Sequence, residues 1–306
     1  MPPRRGFTRY DAEMLVVTLI WGGNFSVSKF AMGQLGPLAF SGIRFTLASV
    51  LLLLIARRAG VMTPLPRRTF WALVGLGVVG NTIYQSAFMT GLSLTTATNS
   101  AMIIASLPVE VALLGSLLGI ERATLATWIG VALGTAGVAL VVSARGVHFH
   151  AGSLRGDLLV LAATVCWASY TVGVRRVGER VDPLQITAIT ATAGAPGLLL
   201  LGLPRLLRQD WGAVTLKSWG ALAYAALLAL VLAYVLYNRA VQGIGTARTA
   251  LYNCITPLVA MLIAWITLGE VPTGVQLVGV ALVIGGVLVS VTTSGAIREQ
   301  AAVVPE

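Results

Sequence analysis

Apolar residues fill most of this chain in runs of about 20, the length with which a helix crosses roughly 30 Å of hydrocarbon. Lipid cannot satisfy free peptide groups, and the strict alternation of a membrane barrel is absent. The pattern therefore predicts an all-α membrane protein with ten transmembrane helices. The predicted spans are 11–31, 36–56, 69–91, 97–118, 124–143, 156–176, 184–203, 218–241, 246–267 and 272–292.

Composition excludes a soluble globular domain. The 306 residues are 57% hydrophobic and 10% charged, with a mean hydropathy of +0.86, whereas ordinary domains are about 25% charged. The first apolar run contains Asn24 and Lys29 and lacks a cleavage-site pattern, so it is predicted to be a retained helix rather than a signal peptide. Cys166 and Cys254 lie within spans and read as small packing residues.

The net charge of +10 follows membrane topology and does not indicate nucleic-acid binding. If the amino terminus is inside, fourteen arginines fall on the inner side and five basic residues on the outer side, which is the positive-inside bias. Both termini are therefore predicted to be cytoplasmic. The inner set is Arg4, Arg5, Arg9, Arg57, Arg58, Arg67, Arg68, Arg122, Arg175, Arg176, Arg180, Arg239, Arg248 and Arg298; the outer set is Arg145, Arg155, Arg205, Arg208 and Lys217.

The chain carries one pattern twice. A proline, a glutamate and a Gly-Val-Ala-Leu block recur at an offset of 149 positions, and a weaker echo has an offset of 146. An odd number of spans in each copy places the second copy upside down, as in many secondary transporters. The sequence predicts two inverted five-helix repeats, 1–145 and 146–306. The matched residues are Pro108 and Pro257, Glu121 and Glu270, 130–133 and 279–282, Trp21 and Trp167, and Lys29 and Arg175.

These motifs resemble the drug/metabolite transporter superfamily, specifically its ten-helix exporters built from two EamA-type repeats. The likeness rests on Trp21-Gly22-Gly23-Asn24-Phe25, Lys29, Arg44 and the two Pro-to-Glu pairs, and it covers essentially the whole chain. It implies export of small metabolites, often amino acids and here including aromatic ones, across a bacterial inner membrane by alternating access. The second copy departs from the pattern, with Trp167-Ala168-Ser169-Tyr170 in place of Trp21-Gly22-Gly23-Asn24, so the site is predicted to be pseudo-symmetric.

Polar and aromatic side chains near the middle of several spans are the candidates for a substrate cavity. Aromatic faces offer dispersion and cation–π contacts to an apolar substrate with an ammonium group, while amides bind a carboxylate. Helix–helix packing is the alternative role for each residue. The predicted substrate-binding residues are Trp21, Asn24, Phe25, Tyr84, Gln85, Phe88, Asn99, Trp167, Tyr170, Tyr234, Tyr237, Tyr252 and Asn253.

Ionisable residues and prolines within spans form a second set of candidates, because charge in lipid is costly and marks function. Glu110 is the only mid-span carboxylate, and it reads as a proton carrier or a hydrogen-bonded packing residue. Arg44 reads as a structural partner or a contact for a substrate carboxylate, and Lys29 as a snorkelling amine near a helix end. Pro108 and Pro257 are predicted to be hinges or static bends.

The sequence argues against most other functions. No HExxH, Gly-x-Ser-x-Gly or Walker motif is present, and His148 and His150 lack neighbouring carboxylate or thiolate ligands, so neither an intramembrane enzyme nor a metal site is predicted. An ion channel is disfavoured as well. A lipid or nucleotide-sugar carrier remains open. The interpretation is a gradient-driven exporter without a cofactor, multi-pass in the inner (plasma) membrane, binding small molecules and lipid but no nucleic acid. It is predicted to be a monomer, with a homodimer left open by the glycines of spans five and ten.

Overall fold

The computed structural model describes residues 7–94, 103–104, 106–120, 123–143, 154–178, 181–268 and 271–302. Side chains are described except at 25, 26, 29, 142, 260, 264, 267–268 and 290–302. Within these ranges every regular element is a helix, which confirms the all-α prediction.

Ten helical segments follow one another in the described residues. Three of them are not uniform α-helix. Helix α3 has a π-helical stretch at Val78–Ile83, α8 has one at Leu227–Leu232, and α9 consists of Thr246–Tyr252, a 3-10 turn at Asn253–Ile255, and Thr256–Leu268. The segments are α1 Arg9–Leu35, α2 Pro37–Arg58, α3 Arg67–Leu94, α4 Leu107–Leu117, α5 Leu125–Ser143, α6 Leu154–Val177, α7 Pro183–Leu206, α8 Leu216–Ile244, α9 246–268 and α10 Gly274–Ala302.

Local chemistry sets several helix ends. Thr8 and Asp11 form a capping box at the start of α1, with the Thr8 amide and hydroxyl both donating to Asp11 Oδ2 at 2.7 and 2.6 Å. Gly36 alone separates α1 from α2, and its φ of +77° is a conformation that favours glycine. Pro183 begins α7, where its missing N–H costs no hydrogen bond.

The helices pack in a pattern that relates the two halves of the chain. Helix α2 lies along α7 and α5 lies along α10, while α1 packs against α8 and α9, and α3 against α6. Small residues allow the closest approaches. A Cβ added at Gly137 would lie 2.6 Å from the Gly279 carbonyl oxygen, and one at Gly279 would lie 2.6 Å from the Gly137 carbonyl oxygen. A second such contact joins Gly286 to the Gly130 carbonyl.

The outer surface of the bundle is apolar. Large aliphatic side chains such as Leu117, Leu125 and Leu216 are more than three-quarters exposed, which is expected where the surroundings are lipid tails. In the part of the chain that the structure describes, five helices are long and apolar enough to cross a membrane: Pro37–Arg58, Arg67–Leu94, Leu154–Val177, Pro183–Leu206 and Leu216–Ile244. Three shorter apolar helices accompany them. The chain is a multi-pass membrane protein; the count of ten spans remains a prediction.

The observed helices differ in detail from the predicted spans. In the described part of the fourth span, Ile103 and Ile104 are helical, and a turn residue at Ser106 precedes the helix that begins at Leu107. The ninth span is interrupted by the 3-10 turn. Pro108 and Pro257 each lie in the first turn of a helical segment, where proline costs no backbone bond. Each proline therefore follows an interruption of the helix and does not kink a continuous helix.

Candidate functional site

Aromatic side chains from four helices meet in the interior of the bundle. Trp167 of α6 is their centre and is 4% exposed. Its ring centroid lies 5.9 Å from that of Trp21, 5.0 Å from Tyr84, 5.4 Å from Tyr234 and 5.3 Å from Tyr237. The angles between ring planes run from 36° to 74°, within the edge-on and tilted geometries that aromatic pairs prefer. With Tyr170, whose ring stacks on Trp167 at 5.0 Å, these residues form the aromatic cluster.

The two π-helical stretches position this cluster. Tyr84 and Gln85 follow directly after Val78–Ile83, and Tyr234 is the second residue after Leu227–Leu232. A π turn shifts the side chains beyond it around the helix axis and leaves backbone carbonyls available, and such turns are frequent at functional sites. Trp21 Nε1 donates to the carbonyl oxygen of Ala229 at 3.0 Å, inside the second π stretch.

Tyr170 is held from both sides. An added Cβ at Gly80, in the first π stretch, would lie 2.4 Å from the Tyr170 ring, so only glycine admits the ring there. The Tyr170 hydroxyl accepts from Asn238 Nδ2 at 2.9 Å and lies 3.4 Å from the Thr190 hydroxyl. The same Asn238 amide donates to the hydroxyl of Thr187 at 2.9 Å. This network is buried and hydrogen-bonded, so it fixes the position of the Tyr170 ring on one side of the aromatic cluster.

Arg44 of α2 lies beside the cluster and is 2% exposed. Its Nη2 donates to Oε1 of Gln85 at 2.9 Å, and its guanidinium carbon lies 5.1 and 5.7 Å from the ring centroids of Phe40 and Phe45. Phe45 in turn lies 6.3 Å from the ring centroid of Tyr234, and Gln85 directly follows Tyr84 in α3. Its Nε has no hydrogen-bond partner, and no acidic side chain pairs with it in the described residues.

The remaining predicted binding residues lie at several places. Phe88 stacks on Tyr84 at 5.8 Å, one turn further along α3. Asn253, in the 3-10 turn of α9, lies near the Tyr237 hydroxyl, and both of its amide atoms are buried without a hydrogen bond. Asn24 instead accepts from Ser28 within α1 at 3.1 Å. Tyr252 points away from the cluster, towards the start of α1.

Glu110 lies one turn into α4 and is half-buried. Its Oε1 accepts from Ser106 at 2.7 Å and from Thr164 of α6 at 3.0 Å. Its Oε2 is buried and has no partner. A carboxyl group with one bonded and one free oxygen is able to take up a proton without rearranging its neighbours.

Some predicted residues fall outside what the structure describes. Asn99, Glu121, Glu270 and both histidines belong to undescribed residues, and the side chains of Phe25 and Lys29 are likewise not described. Among the described residues, no group of three or more His, Cys, Asp or Glu side chains is placed to hold a metal ion.

A buried ion pair at the start of α1 was not anticipated from the sequence. Asp11 is 0% exposed, and its Oδ1 accepts from Arg248 Nη2 at 2.7 Å, Arg248 Nε at 2.9 Å and the Tyr252 hydroxyl at 2.7 Å. Arg239 and Glu13 pair nearby at 2.9 Å. These contacts tie α1 to α8 and α9 at one end of the bundle, called here the near end. An acidic residue so close to the first span was the available signal.

At the opposite end of α1, the far end, the described contacts are hydrogen bonds without an ion pair. Gln34 Oε1 accepts from the Ser218 hydroxyl at 2.6 Å and from the Thr215 amide at 3.1 Å. Arg205 donates to the Gln34 carbonyl at 3.3 Å. Ser218 is buried, but Gln34, Thr215 and Arg205 are more exposed than Asp11 and Arg248, so the contacts at the near end are the more completely buried.

Comparison with known proteins yields one family. A model described as the EamA-like transporter family matches twice, at residues 10–143 and 154–292. A solved crystal structure aligns with a TM-score of 0.78, covering 95% of this chain and 98% of its own, at 20% identity, a likeness that bears on the fold alone.

Several relatives match over nearly their full length. The uncharacterized transporter YyaM of Bacillus subtilis (strain 168) is 29% identical over 93% of this chain and 93% of its own. A probable terminal-alkyne amino-acid exporter of Streptantibioticus cattleyicolor is 30% identical over 93% of this chain and 95% of its own. The uncharacterized inner membrane transporter YedA of Escherichia coli (strain K12) is 26% identical over 87% and 89%.

Proposed function

Because the chain belongs to the EamA-like transporter family, we propose that it is a secondary transporter that exports amino acids with aromatic or other large apolar side chains, together with related small metabolites. The observation that carries the proposal is the aromatic cluster. Its faces are supplied by α1, α3, α6 and α8, two helices from each half of the chain, around the buried Trp167. Such a surface suits an apolar side chain and an ammonium group. The name of the Streptantibioticus relative points in the same direction.

Each of α1 to α10 is proposed to be one span, with 1–145 and 146–306 as inverted repeats. The two π stretches support this arrangement, since Val78–Ile83 and Leu227–Leu232 are separated by the same 149 positions as the repeated motifs. The reciprocal contact of Gly137 and Gly279 supports it as well. The charge asymmetry supports a cytoplasmic location of both termini, and hence of the near end, for a protein of the inner membrane.

Alternating access follows from a site between two such repeats. In the proposed cycle the present structure, with Asp11 and Arg248 paired, has the cytoplasmic end closed. Opening that end would separate α1 from α9. The irregular turns before Pro108 and Pro257 are the places where α4 and α9 would bend. Glu110, with its free Oε2, is proposed to carry the coupling proton.

Flux into liposomes tests the proposal. Labelled tryptophan, phenylalanine, methionine and threonine would be offered to the purified, reconstituted protein with and without a pH gradient. Saturable flux that unlabelled substrate competes away is expected, strongest for the aromatic pair, and the gradient is expected to change its rate. A folded protein that moves none of them faster than empty liposomes would contradict the proposal and favour the superfamily's lipid or nucleotide-sugar carriers.

A further inference from the structure

The charge on Arg44 has no counter-charge in the described residues. Asp11 pairs with Arg248, Glu13 pairs with Arg239, and Glu110 bonds to two hydroxyls. Arg44 has one hydrogen bond, to the neutral Gln85, and two aromatic neighbours. Burying a cation without a partner costs free energy. We therefore expect a buried arginine of this kind in a membrane protein to bind an anion.

The geometry leaves hydrogen-bonding capacity for that anion. A guanidinium has five N–H donors in a planar fork that matches a carboxylate, and Gln85 occupies only Nη2. Nε is buried and has no partner. The bond from Nη2 to Gln85 fixes the plane of the fork, which reduces the entropy that a ligand would otherwise cost on binding.

The position of Arg44 places the anion next to the aromatic cluster. The guanidinium carbon lies 5.7 Å from the Phe45 ring centroid, which is 6.3 Å from that of Tyr234, and Nη2 bonds to Gln85, the residue after Tyr84. The rings of both tyrosines contact Trp167. A molecule with its carboxylate on Arg44 would therefore lay its body on the cluster. At the equivalent position of the second half, 146 residues on, stands the neutral Thr190. One carboxylate is therefore accommodated, not two.

We propose that Arg44, oriented by Gln85, binds the carboxylate of the transported molecule, so that a carboxylate is required for recognition while an ammonium group is not. The inference rests on the proposed function and narrows it to aromatic or large apolar carboxylates, of which amino acids are one kind. Simple amines with the same side chain are then excluded.

Three indole compounds test the contributions of the carboxylate and the ammonium group separately. Tryptophan carries both charges, indole-3-propionate carries only the carboxylate and tryptamine only the ammonium. Thermal unfolding of the purified protein in detergent would be followed across a concentration series of each. Tryptophan and indole-3-propionate are expected to raise the midpoint, because a ligand that binds only the folded state stabilises it. Tryptamine is expected to leave it unchanged.

Variants assign the effect to the guanidinium. Arg44→Gln is expected to weaken indole-3-propionate binding by about tenfold or more, as for loss of a hydrogen bond between charged groups. Arg44→Lys keeps the charge without the fork and should lie between. Arg208→Gln removes an exposed arginine and should match the parent protein. Should Arg44→Gln fail to fold, the three-ligand series on the parent protein decides alone.

The outcomes are separable from those of the flux experiment. Equal stabilisation by tryptamine and indole-3-propionate, no stabilisation by either carboxylate, or an undiminished response of Arg44→Gln would each overturn the assignment of Arg44, even if amino acids are transported. Binding of the carboxylates without any flux would keep the assignment and contradict the transporter function.

Discussion

The two halves of the chain share residues that pack them against each other, and they differ in the charged residues of the interior. Both halves have a π stretch in the third helix, a tryptophan at the middle of the first helix and glycines along the fifth. These shared residues make contacts between halves, as Trp21 does with Trp167 and Gly137 with Gly279. Shared positions therefore hold the architecture.

The charged residues of the interior lie at positions where the two halves have different residues. Arg44 of the first half corresponds to Thr190, Gln85 to Tyr234 and Glu110 to Val259, which lies against Gly22. The cation, its amide partner and the mid-span carboxylate thus all come from the first half. Under the proposed function, this one-sided arrangement would give the transporter one carboxylate-binding residue and one proton-carrying residue, both from the first half.

The largest expected loss of stability comes from the buried contact between the halves at the near end. Asp11→Asn removes the carboxylate that faces the Arg248 guanidinium, and breaking a buried pair costs about 3–5 kcal/mol. A clear fall in the thermal unfolding midpoint in detergent is predicted. Glu13→Gln is the matched control, because its partner Arg239 is 38% exposed and such pairs contribute at most about 1 kcal/mol. Equal midpoints for the two variants would contradict this account.

Gly137 of α5 and Gly279 of α10 are expected to contribute equally to stability. Gly137→Ala and Gly279→Ala each bring a methyl group to 2.6 Å from a backbone oxygen of the other helix, and overpacking costs about 1–3 kcal/mol. Both are predicted to lower the unfolding midpoint by similar amounts. Gly285→Ala, where an added Cβ meets nothing within 4 Å, should leave it unchanged. A harmless Gly137→Ala would argue against the close seam.

Trp21 is expected to contribute a hydrogen bond to stability as well as an aromatic ring. Trp21→Phe leaves an aromatic face but removes the bond to the Ala229 carbonyl, a loss of about 1 kcal/mol. A modest fall in the midpoint and slower tryptophan flux are expected, since the second π stretch loses its tie to α1. Trp71→Phe, at a side chain that is 61% exposed, is the control. If flux and midpoint stay at parental values in Trp21→Phe, the bond has no functional role.

Glu110→Gln is expected to have the smallest effect on stability and a specific effect on transport. The amide keeps the shape of the side chain and an oxygen to accept from Ser106 and Thr164, so the unfolding midpoint should change little. It cannot take up and release a proton, so the response of flux to a pH gradient should disappear. Asp210→Asn, an exposed acid, should keep that response. An unchanged pH profile in Glu110→Gln would make Glu110 a packing residue.

Hydrophobic runs were sufficient to predict an all-helical membrane protein. Five side chains named from their mid-span positions do contact Trp167, while their role in binding a substrate stays a prediction. The length of each apolar run can be read from the sequence, because a helix must be apolar along the whole thickness of the bilayer. The π stretches were not predicted, since Val78–Ile83 and Leu227–Leu232 differ little in composition from the α-helix around them. The ion pair of Asp11 was missed because its partner Arg248 is 237 residues away and was counted only among the inner-side charges. Tyr252 was grouped with the cluster by residue type, whereas its hydroxyl bonds to Asp11.

Counterflow of labelled tryptophan, in liposomes preloaded with unlabelled tryptophan, is the most direct test of a substrate site between the halves. The parent protein should accumulate label transiently and saturably. Trp167→Ala, reconstituted as a folded protein to the same density, should not, because it removes the ring that Trp21, Tyr84, Tyr234 and Tyr237 all contact. Equal counterflow in the two proteins would place the substrate elsewhere and contradict the account.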